Sequence, residues 1–295
     1  MSDTRVHLLV NPSAHSAREV LDGVRTSGLP VDVRYVSTGE LPGAIEQLAR
    51  SGVSRIAVAG GDGTIALAAG LASRWSLELG VIPGGRLNHL AHDLGIPTDV
   101  SEALRVAVAG TVRPVDAAAV NGHLFLNTSS VGTYVTFVRM RERLERYIGY
   151  GLASVAAALR LLIRPRVFTV EVEMDGQLRS HVTPLVFVGV GERELKLPTL
   201  GGRAESGLRG LHLMIVRGRS RARFATLAFA AAARGTRRVA RSPALEAFLV
   251  TRFTVRLRRP HVLVATDGEL HAMSAPLEYK WMPEAVRIVM PPTED

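Results

Sequence analysis

The sequence predicts an α/β fold, with a doubly wound parallel sheet in the first part of the chain and a mostly β second part. In the first part, short apolar runs typical of strands alternate with segments whose apolar residues recur at helical spacing. Strands separated by helices of about 10–15 residues are typical of parallel sheets. Beyond about residue 112, strand-like runs surround Asn-Gly and Asp-Gly pairs, which are typical of tight hairpins.

Each element of the first part has a local cause. Asn11-Pro12 ends the first strand, because proline cannot donate to a sheet ladder. Leu41, Ala44 and Ile45 are spaced so that a helix places them on one face. In chain order, the predicted elements are strand 6–10, helix 16–27, strand 31–36, helix 41–51, strand 55–59, helix 65–73 and strand 79–82.

The second part is predicted to be antiparallel. Asn-Gly and Asp-Gly pairs favour the positive φ angles of two-residue hairpin turns. The charges that alternate over 138–146 are typical of a solvated helix face. The predicted features are turns at 121–122, 175–176 and 267–268, strands over 167–174, 185–189, 211–216, 262–265 and 286–290, a helix over 133–163 broken near Gly149 or Gly151, and a helix over 221–234.

Composition excludes several classes of protein. The 295 residues include no cysteine, which rules out disulfide scaffolds, thiolate metal sites and a cysteine nucleophile. Lys and Arg number 36 against 27 Asp and Glu, a net charge of +9. Residues 217–259, the basic segment, hold twelve arginines and one acid, Glu246, and so carry the whole excess. Nucleic acid and anionic lipid both fit such a segment. Because it lacks regularly interleaved aromatic residues, we expect no nucleic-acid partner.

Two glycine-rich turns follow consecutive predicted strands. The first is Gly60-Gly61-Asp62-Gly63-Thr64 and the second is Gly84-Gly85-Arg86-Leu87-Asn88. Glycines let a backbone approach a ligand, and amides at a helix N-terminus suit phosphate. Asp62 would repel phosphate unless a divalent cation lay between them, so it indicates a magnesium-nucleotide. Loops after consecutive strands meet at the carboxyl edge of a doubly wound sheet, where ligands bind. From glycine spacing alone, a tight turn with Asp62 capping the helix remains the alternative.

These turns are part of a longer resemblance. With Asn11-Pro12, the block over 83–95 and Asp267-Gly268-Glu269, they resemble the bacterial diacylglycerol kinase and lipid kinase family, whose fold also covers sphingosine kinases and is related to NAD kinase. The resemblance runs in order over nearly the whole chain. It implies an NAD-kinase-like domain over 1–112, rejoined by 276–295, and a β-sandwich-like substrate domain over 113–275.

The resemblance implies an enzyme that transfers the γ-phosphate of ATP to a lipid hydroxyl such as that of diacylglycerol, with Mg²⁺ present and the nucleotide between the two domains. Asp62 maps to the family's essential acid, which lies close to both the nucleotide and the metal. Glu269 maps to the acid that activates the hydroxyl, a role that suits a carboxylate because phosphoryl transfer needs a proton acceptor. Without the family context, an ordinary hairpin turn is the better interpretation of Asp267-Gly268-Glu269. The residues that map to the nucleotide site are Asn11, Gly60, Gly61, Gly63, Thr64, Gly84, Gly85, Arg86 and Asn88.

Some positions depart from the family pattern and leave the function open. Arg86 stands where the family has Thr, and it would either neutralise phosphate or obstruct the pocket. Ala14 replaces a glycine, and Ala68 stands in a helix turn that usually carries Asn and Glu. The alternatives are a kinase of the same fold for a soluble metabolite or nucleotide, and a nucleotide- or lipid-binding protein that has lost catalysis.

The expected cellular location follows from the charge of the chain and the lengths of its apolar runs. No apolar run approaches the roughly 20 residues of a membrane-spanning helix. We therefore expect a cytoplasmic protein, attached peripherally to the anionic inner membrane surface through the basic segment. The expected partners are a lipid alcohol substrate and this membrane surface, and a homodimer is left open.

Overall fold

The chain forms two compact units in the computed structural model, which describes residues 5–14, 16–85, 88–163, 167–194, 202–203, 207–216 and 245–292. The first unit is Met1–Ala117 with Met282–Asp295, and the second is Ala118–Trp281. Domain limits after residues 112 and 275 are expected from the sequence and its family resemblance. Arg86, the predicted helix over 221–234 and most of the basic segment lie outside the described residues.

The first unit is built on a parallel sheet. Its strand order is β2-β1-β3-β4-β18, and each neighbouring pair is parallel. The elements are β1 (Val6–Val10), α1 (Ala17–Ser27), β2 (Val31–Tyr35), α2 (Leu41–Arg50), β3 (Arg55–Gly60), α3 (Asp62–Trp75), β4 (Glu78–Pro83), α4 (His89–Asp93), α5 (Val100–Ala109), the start of β5 (Thr111–Val120) and the end of β18 (Leu277–Met290).

The central strands of this sheet are buried on both faces. Leu8, Val58 and Leu79 are fully buried, as expected for parallel strands between two layers of helices. The chain moves from β1 to β2 on one side and then returns to β3 on the other, so the strand order reverses between β1 and β3. In such sheets ligands bind outside the carboxyl ends of the strands at this reversal.

The second unit contains two antiparallel sheets that enclose one core. One has the order β9-β8-β15-β18, with β5 pairing β18 and β6, and the other has the order β14-β13-β10-β7-β16-β17. Val172 and Phe253 from one sheet share a buried cluster with Val188 from the other. The elements are β6 (His123–Phe125), β7 (Thr128–Gly132), α6 (Thr133–Ile163), β8 (Phe168–Met174), β9 (Gln177–Thr183), β10 (Leu185–Val190), β11 (Arg193–Glu194), β12 (Gly202–Arg203), β13 (Leu211–Val216), β14 (Leu245–Val250), β15 (Arg252–Leu257), β16 (His261–Thr266) and β17 (Glu269–Ser274).

The fold class and the hairpins predicted from the sequence are confirmed. The pairs Asn121-Gly122, Asp175-Gly176 and Asp267-Gly268 each join two antiparallel strands, and both residues of each pair have positive φ. This conformation belongs to the type I′ turn, which matches the twist of the strands that it joins.

The helices differ in how well the sequence predicted them. α6 is interrupted at Gly149, as predicted, with φ 73° and ψ 165°. α3 begins at Asp62 after an extended Gly61, three residues before the predicted start. α5 was not predicted, although Asp99 caps it by accepting a hydrogen bond from the Glu102 amide at 2.9 Å. Among the helices that the structure describes, none combines the length and the apolar character needed to cross a bilayer.

Candidate functional site

The loops that follow β1, β3 and β4 converge at the carboxyl edge of the parallel sheet. The Gly84 amide donates to the Gly60 carbonyl at 2.8 Å, and the Asn11 amide donates to the Ala59 carbonyl at 3.0 Å. The two glycine turns therefore lie side by side at the carboxyl edge of the sheet, as predicted from the sequence.

The turns approach each other so closely that side chains would not fit between them. A Cβ atom at Gly85 would lie 3.0 Å from the Gly61 Cα and 3.5 Å from the Asp62 amide nitrogen. A Cβ atom at Gly84 would lie 2.8 Å from the Ser16 Oγ. The absence of side chains at Gly84 and Gly85 therefore lets the two turns and the chain after β1 pack against one another.

Asn11 connects three loops through one buried side chain. Its Nδ2 donates to Thr64 Oγ1 at 2.9 Å and to Thr38 Oγ1 at 3.1 Å, and its Oδ1 accepts a hydrogen bond from the Ser13 amide at 3.0 Å. The two donated bonds tie the turn after β1 to the first turn of α3 and to the loop after β2. Thr38 was not identified from the sequence, because its partner lies 27 residues away.

The side chain of Asn88 forms two hydrogen bonds within the second glycine turn. Its Oδ1 accepts from the Gly85 amide at 2.9 Å, and its Nδ2 donates to the Gly85 carbonyl at 3.0 Å. The residue has a φ of 49°, a left-handed conformation that asparagine tolerates better than most residues. In the structure, Asn88 therefore holds the shape of the turn, directly before α4.

Asp62 joins the two turns. It is the first residue of α3, is partly exposed, and accepts a hydrogen bond at Oδ1 from the His89 amide at 2.7 Å. This bond links the start of α3 to the start of α4. The carboxylate is the acid in the first turn of α3, where the helix macrodipole favours negative charge.

These residues fit a phosphate group with a divalent cation. The backbone amides in the first turn of α3 have no partners within the helix and are suited to phosphate oxygens. Mg²⁺ is commonly held by one or two carboxylates together with the phosphates of its nucleotide, so Asp62 is a suitable ligand. Within the ranges that the structure describes, no group of three His, Cys, Asp or Glu residues could hold a metal by itself.

The structure brings together eight of the nine residues predicted to bind the nucleotide. Arg86 is the exception, because it lies outside the described residues. The residues at the converging loops are Asn11, Gly60, Gly61, Gly63, Thr64, Gly84, Gly85 and Asn88.

Glu269, the other predicted catalytic acid, belongs to the second unit. It is the first residue of β17 and is exposed, directly after the Asp267-Gly268 turn. The preceding Asp267 anchors this hairpin, because its carboxylate accepts hydrogen bonds from the amides of Leu126 and Asn127 at 2.8 Å and of Thr128 at 2.9 Å.

Burial raises the pKa of the Asp267 carboxyl, whereas the three backbone hydrogen bonds and the charge of Arg193 act in the opposite direction. The Asp-Gly pair predicted the turn, but nothing in the local sequence indicated that the carboxylate holds the start of β7. Asp267 therefore determines how the hairpin that presents Glu269 is attached to the second unit.

Comparison with known proteins finds a match over the part of the chain that holds the two glycine turns. Residues 5–120 match the model of the diacylglycerol kinase catalytic domain, and they include β1–β4 and both glycine turns. The chain is 32% identical over 187 residues to a Bacillus subtilis protein named diacylglycerol kinase, covering 59% of this chain and 61% of the other. It is 33% identical over 138 residues to a Klebsiella pneumoniae protein named "Probable lipid kinase YegS-like", covering 45% and 46%. The chain spans about half the length of the curated relatives that it matches.

Solved structures extend the likeness of fold to nearly the whole chain. A diacylglycerol kinase structure from Bacillus anthracis str. Sterne has a TM-score of 0.74 and covers 98% of both chains at 23% identity. Fold and loops together define a doubly wound α/β protein with a glycine-lined site, followed by an antiparallel two-sheet unit. In sequence, the first part of the chain is similar to the diacylglycerol kinase catalytic domain and to proteins named as diacylglycerol or lipid kinases.

Proposed function

We propose that this protein transfers the γ-phosphate of ATP to the hydroxyl of a lipid such as diacylglycerol. The observation that carries the proposal is the contact between the two glycine turns, with Asp62 bonded across them to the His89 amide. The match of residues 5–120 to the diacylglycerol kinase catalytic domain and the relatives' names support a kinase that acts on a lipid.

The residues of the first unit have defined tasks in this proposal. The glycine turns and the first amides of α3 bind the phosphates, and Asn11 and Asn88 hold the shape of the loops. When bound, Mg²⁺ neutralises negative charge on the phosphates as the phosphoryl group transfers. Asp62 holds this ion at the start of α3.

The residues of the second unit act on the acceptor. Glu269 accepts the proton of the lipid hydroxyl as its oxygen forms a bond to the γ-phosphorus and the bond to the ADP oxygen breaks. Asp267 positions the hairpin that carries Glu269. The basic segment draws the protein to the anionic inner surface of the membrane, where the lipid substrate resides.

The decisive variant is Asp62→Asn. Asparagine keeps an oxygen that accepts the His89 amide bond but loses the negative charge, so the loops retain their shape while activity falls by roughly 100-fold or more. The measurement is incorporation of labelled phosphate from ATP into diacylglycerol vesicles with Mg²⁺. Asp22→Asn, at an exposed position on α1, is the matched control and keeps full activity.

Three outcomes would contradict the proposal. Unchanged activity of Asp62→Asn would remove Asp62 from the site. Phosphorylation of soluble alcohols with no dependence on lipid would favour the kinase for a soluble metabolite. ATP binding without turnover by the unaltered protein would favour a binding protein.

A further inference from the structure

Two histidine rings are in direct contact in the second unit. The imidazoles of His123 on β6 and His271 on β17 have ring centroids 4.0 Å apart, and the ring planes are tilted by 44°. Both residues are partly buried. Histidine changes its charge between about pH 5 and 8, and two positively charged rings in contact repel each other. The strength of this contact therefore depends on pH.

The histidine pair joins the last strands of the two sheets. β17 is an edge strand of one sheet, and β6 ends the other sheet because it pairs with β5, which pairs with β18. On the same face of β6 as His123, Phe125 is fully buried in the core between the sheets. On the same face of β17 as His271, Met273 packs against that core. The ring contact therefore closes the rim of the core, where β6 lies next to β17.

The pair also holds the strand that carries the predicted catalytic acid. Glu269 begins β17 and lies on the same face as His271, because side chains two residues apart point to the same side of a strand. At the turn of the β5–β6 hairpin, Asn121 donates through Nδ2 to the carbonyl of Ser274 at 2.8 Å, and its Oδ1 accepts from the Glu278 amide at 2.8 Å. β17 is thus attached to this hairpin at its last residue by Asn121 and in its middle by the ring contact.

The surroundings of the pair favour neutral rings. Burial lowers the pKa of His123, and the charge of His271 lowers that pKa further. The other titratable groups on the elements that pack against the pair are exposed, or lie toward the other end of β5, so that solvent or distance weakens their effect. They are Glu269, His261 and Glu278, which are exposed, and Arg113 and Asp116 on β5.

Acid should weaken the contact, and the direction follows from where the proton binds. Because the pKa of His123 is lowered in the folded protein, the unfolded chain binds this proton more readily. The stabilisation is therefore complete above the ordinary histidine pKa of about 6.5 and is lost as pH falls through the lower value of the folded protein.

We propose that the ring contact of His123 and His271 is a pH-sensitive device, which holds β17 and its Glu269 in place at neutral pH and loosens them when both rings are protonated. The proposal rests on the proposed function, because the role of Glu269 is what connects β17 to phosphoryl transfer. Its consequence is a kinase that mild acid slows reversibly, through a loosened hairpin in the second unit.

The first measurement needs no enzyme activity. NMR titration of the histidine ring protons should give a pKa of His123 below the ordinary 6.5. In His271→Phe, which keeps a ring at this position but cannot be charged, the pKa of His123 should rise. A pKa of His123 at or above the ordinary value, or one that His271→Phe leaves unchanged, would overturn the proposal.

Urea unfolding at about pH 7.5 and about pH 5 measures the contribution to stability. Trp281 ends the second unit and packs against its core, and in a Trp75→Phe background it is the single tryptophan. The unfolding midpoint should fall on acidification, and His123→Phe should remove a large part of this fall. The matched control His261→Phe removes an exposed histidine from the β16–β17 hairpin and should keep the fall of the parent.

EDTA is present throughout, because imidazole also binds transition metals and the measured effect should come from protons alone. An equal fall of the midpoint in His123→Phe and in its parent would show that the ring contact does not sense pH, and would overturn the proposal.

The activity measurement connects the ring contact to Glu269. Phosphorylation of a dissolved short-chain diacylglycerol is compared at about pH 7.5 and about pH 5.5. Relative to its own rate at the higher pH, His123→Phe should retain at least about threefold more activity in acid than the unaltered protein or His261→Phe. Return to neutral pH should restore the rate of the unaltered protein.

The outcomes separate this proposal from the proposed function. Equal pH profiles of His123→Phe and the unaltered protein would overturn the link between the histidine pair and Glu269. Absence of phosphorylation by every variant at neutral pH would refute the kinase, whereas the NMR titration and the unfolding measurements would still decide whether the ring contact senses pH.

Discussion

Replacing Asn11 by alanine tests whether one side chain holds the candidate site together. The change removes three hydrogen bonds, to Thr38 Oγ1, to Thr64 Oγ1 and from the Ser13 amide. Asn11 is buried, so water does not readily replace them. At about 1 kcal/mol of net stabilisation for each bond, Asn11→Ala should lower the free energy of unfolding by about 3 kcal/mol.

The matched variant Asn11→Asp separates stability from binding. Its carboxylate still accepts from the Ser13 amide, and both threonine hydroxyls can rotate to donate to it, so it should destabilise less than Asn11→Ala. Its new negative charge lies beside the predicted phosphate site and should weaken ATP binding. The order of the two variants in stability should therefore be the reverse of their order in ATP affinity.

Urea unfolding followed by Trp75 fluorescence measures the stability of the first unit. Trp75 ends α3, and in a Trp281→Phe background it is the single tryptophan of the chain. Calorimetry measures ATP binding for the same proteins. The reasoning is refuted if Asn11→Ala unfolds within about 0.5 kcal/mol of its parent, or if Asn11→Asp is the more destabilised of the two.

Two further predictions concern the second unit. Asp267→Asn should lower the free energy of unfolding by about 1–3 kcal/mol, because its amide group turns a donor toward one of the three backbone amides. Denaturant unfolding of the two proteins checks this, and equal stability would contradict it. Gly149→Ala should cost about 1–3 kcal/mol, because φ 73° with ψ 165° is accessible almost only to glycine. Gly151→Ala, the matched control, should be neutral or stabilising. Thermal unfolding measures the stability of both variants, and an equal loss of stability in the two would exclude backbone strain at Gly149 as the cause.

The parts of the fold that depend on consecutive residues were predictable. Each Asn-Gly and Asp-Gly pair forms the hairpin turn expected, because positive φ is a preference of the residues themselves. Gly149 interrupts α6 for the same reason. The meeting of the two glycine turns was also predictable, because parallel strands end at a common edge.

The sequence by itself determined the strands β1–β4, the three hairpin turns and the residues that gather after β1, β3 and β4. Only the tertiary structure decided what those residues contact: Asp62 accepts from His89, and Asp267 accepts from Asn127, 140 residues earlier in the chain. It also decided that α6 buries Ala153 and exposes Leu152. The physical reason is that φ and ψ preferences are local, whereas a hydrogen bond or a covered face depends on a partner whose position the whole fold sets.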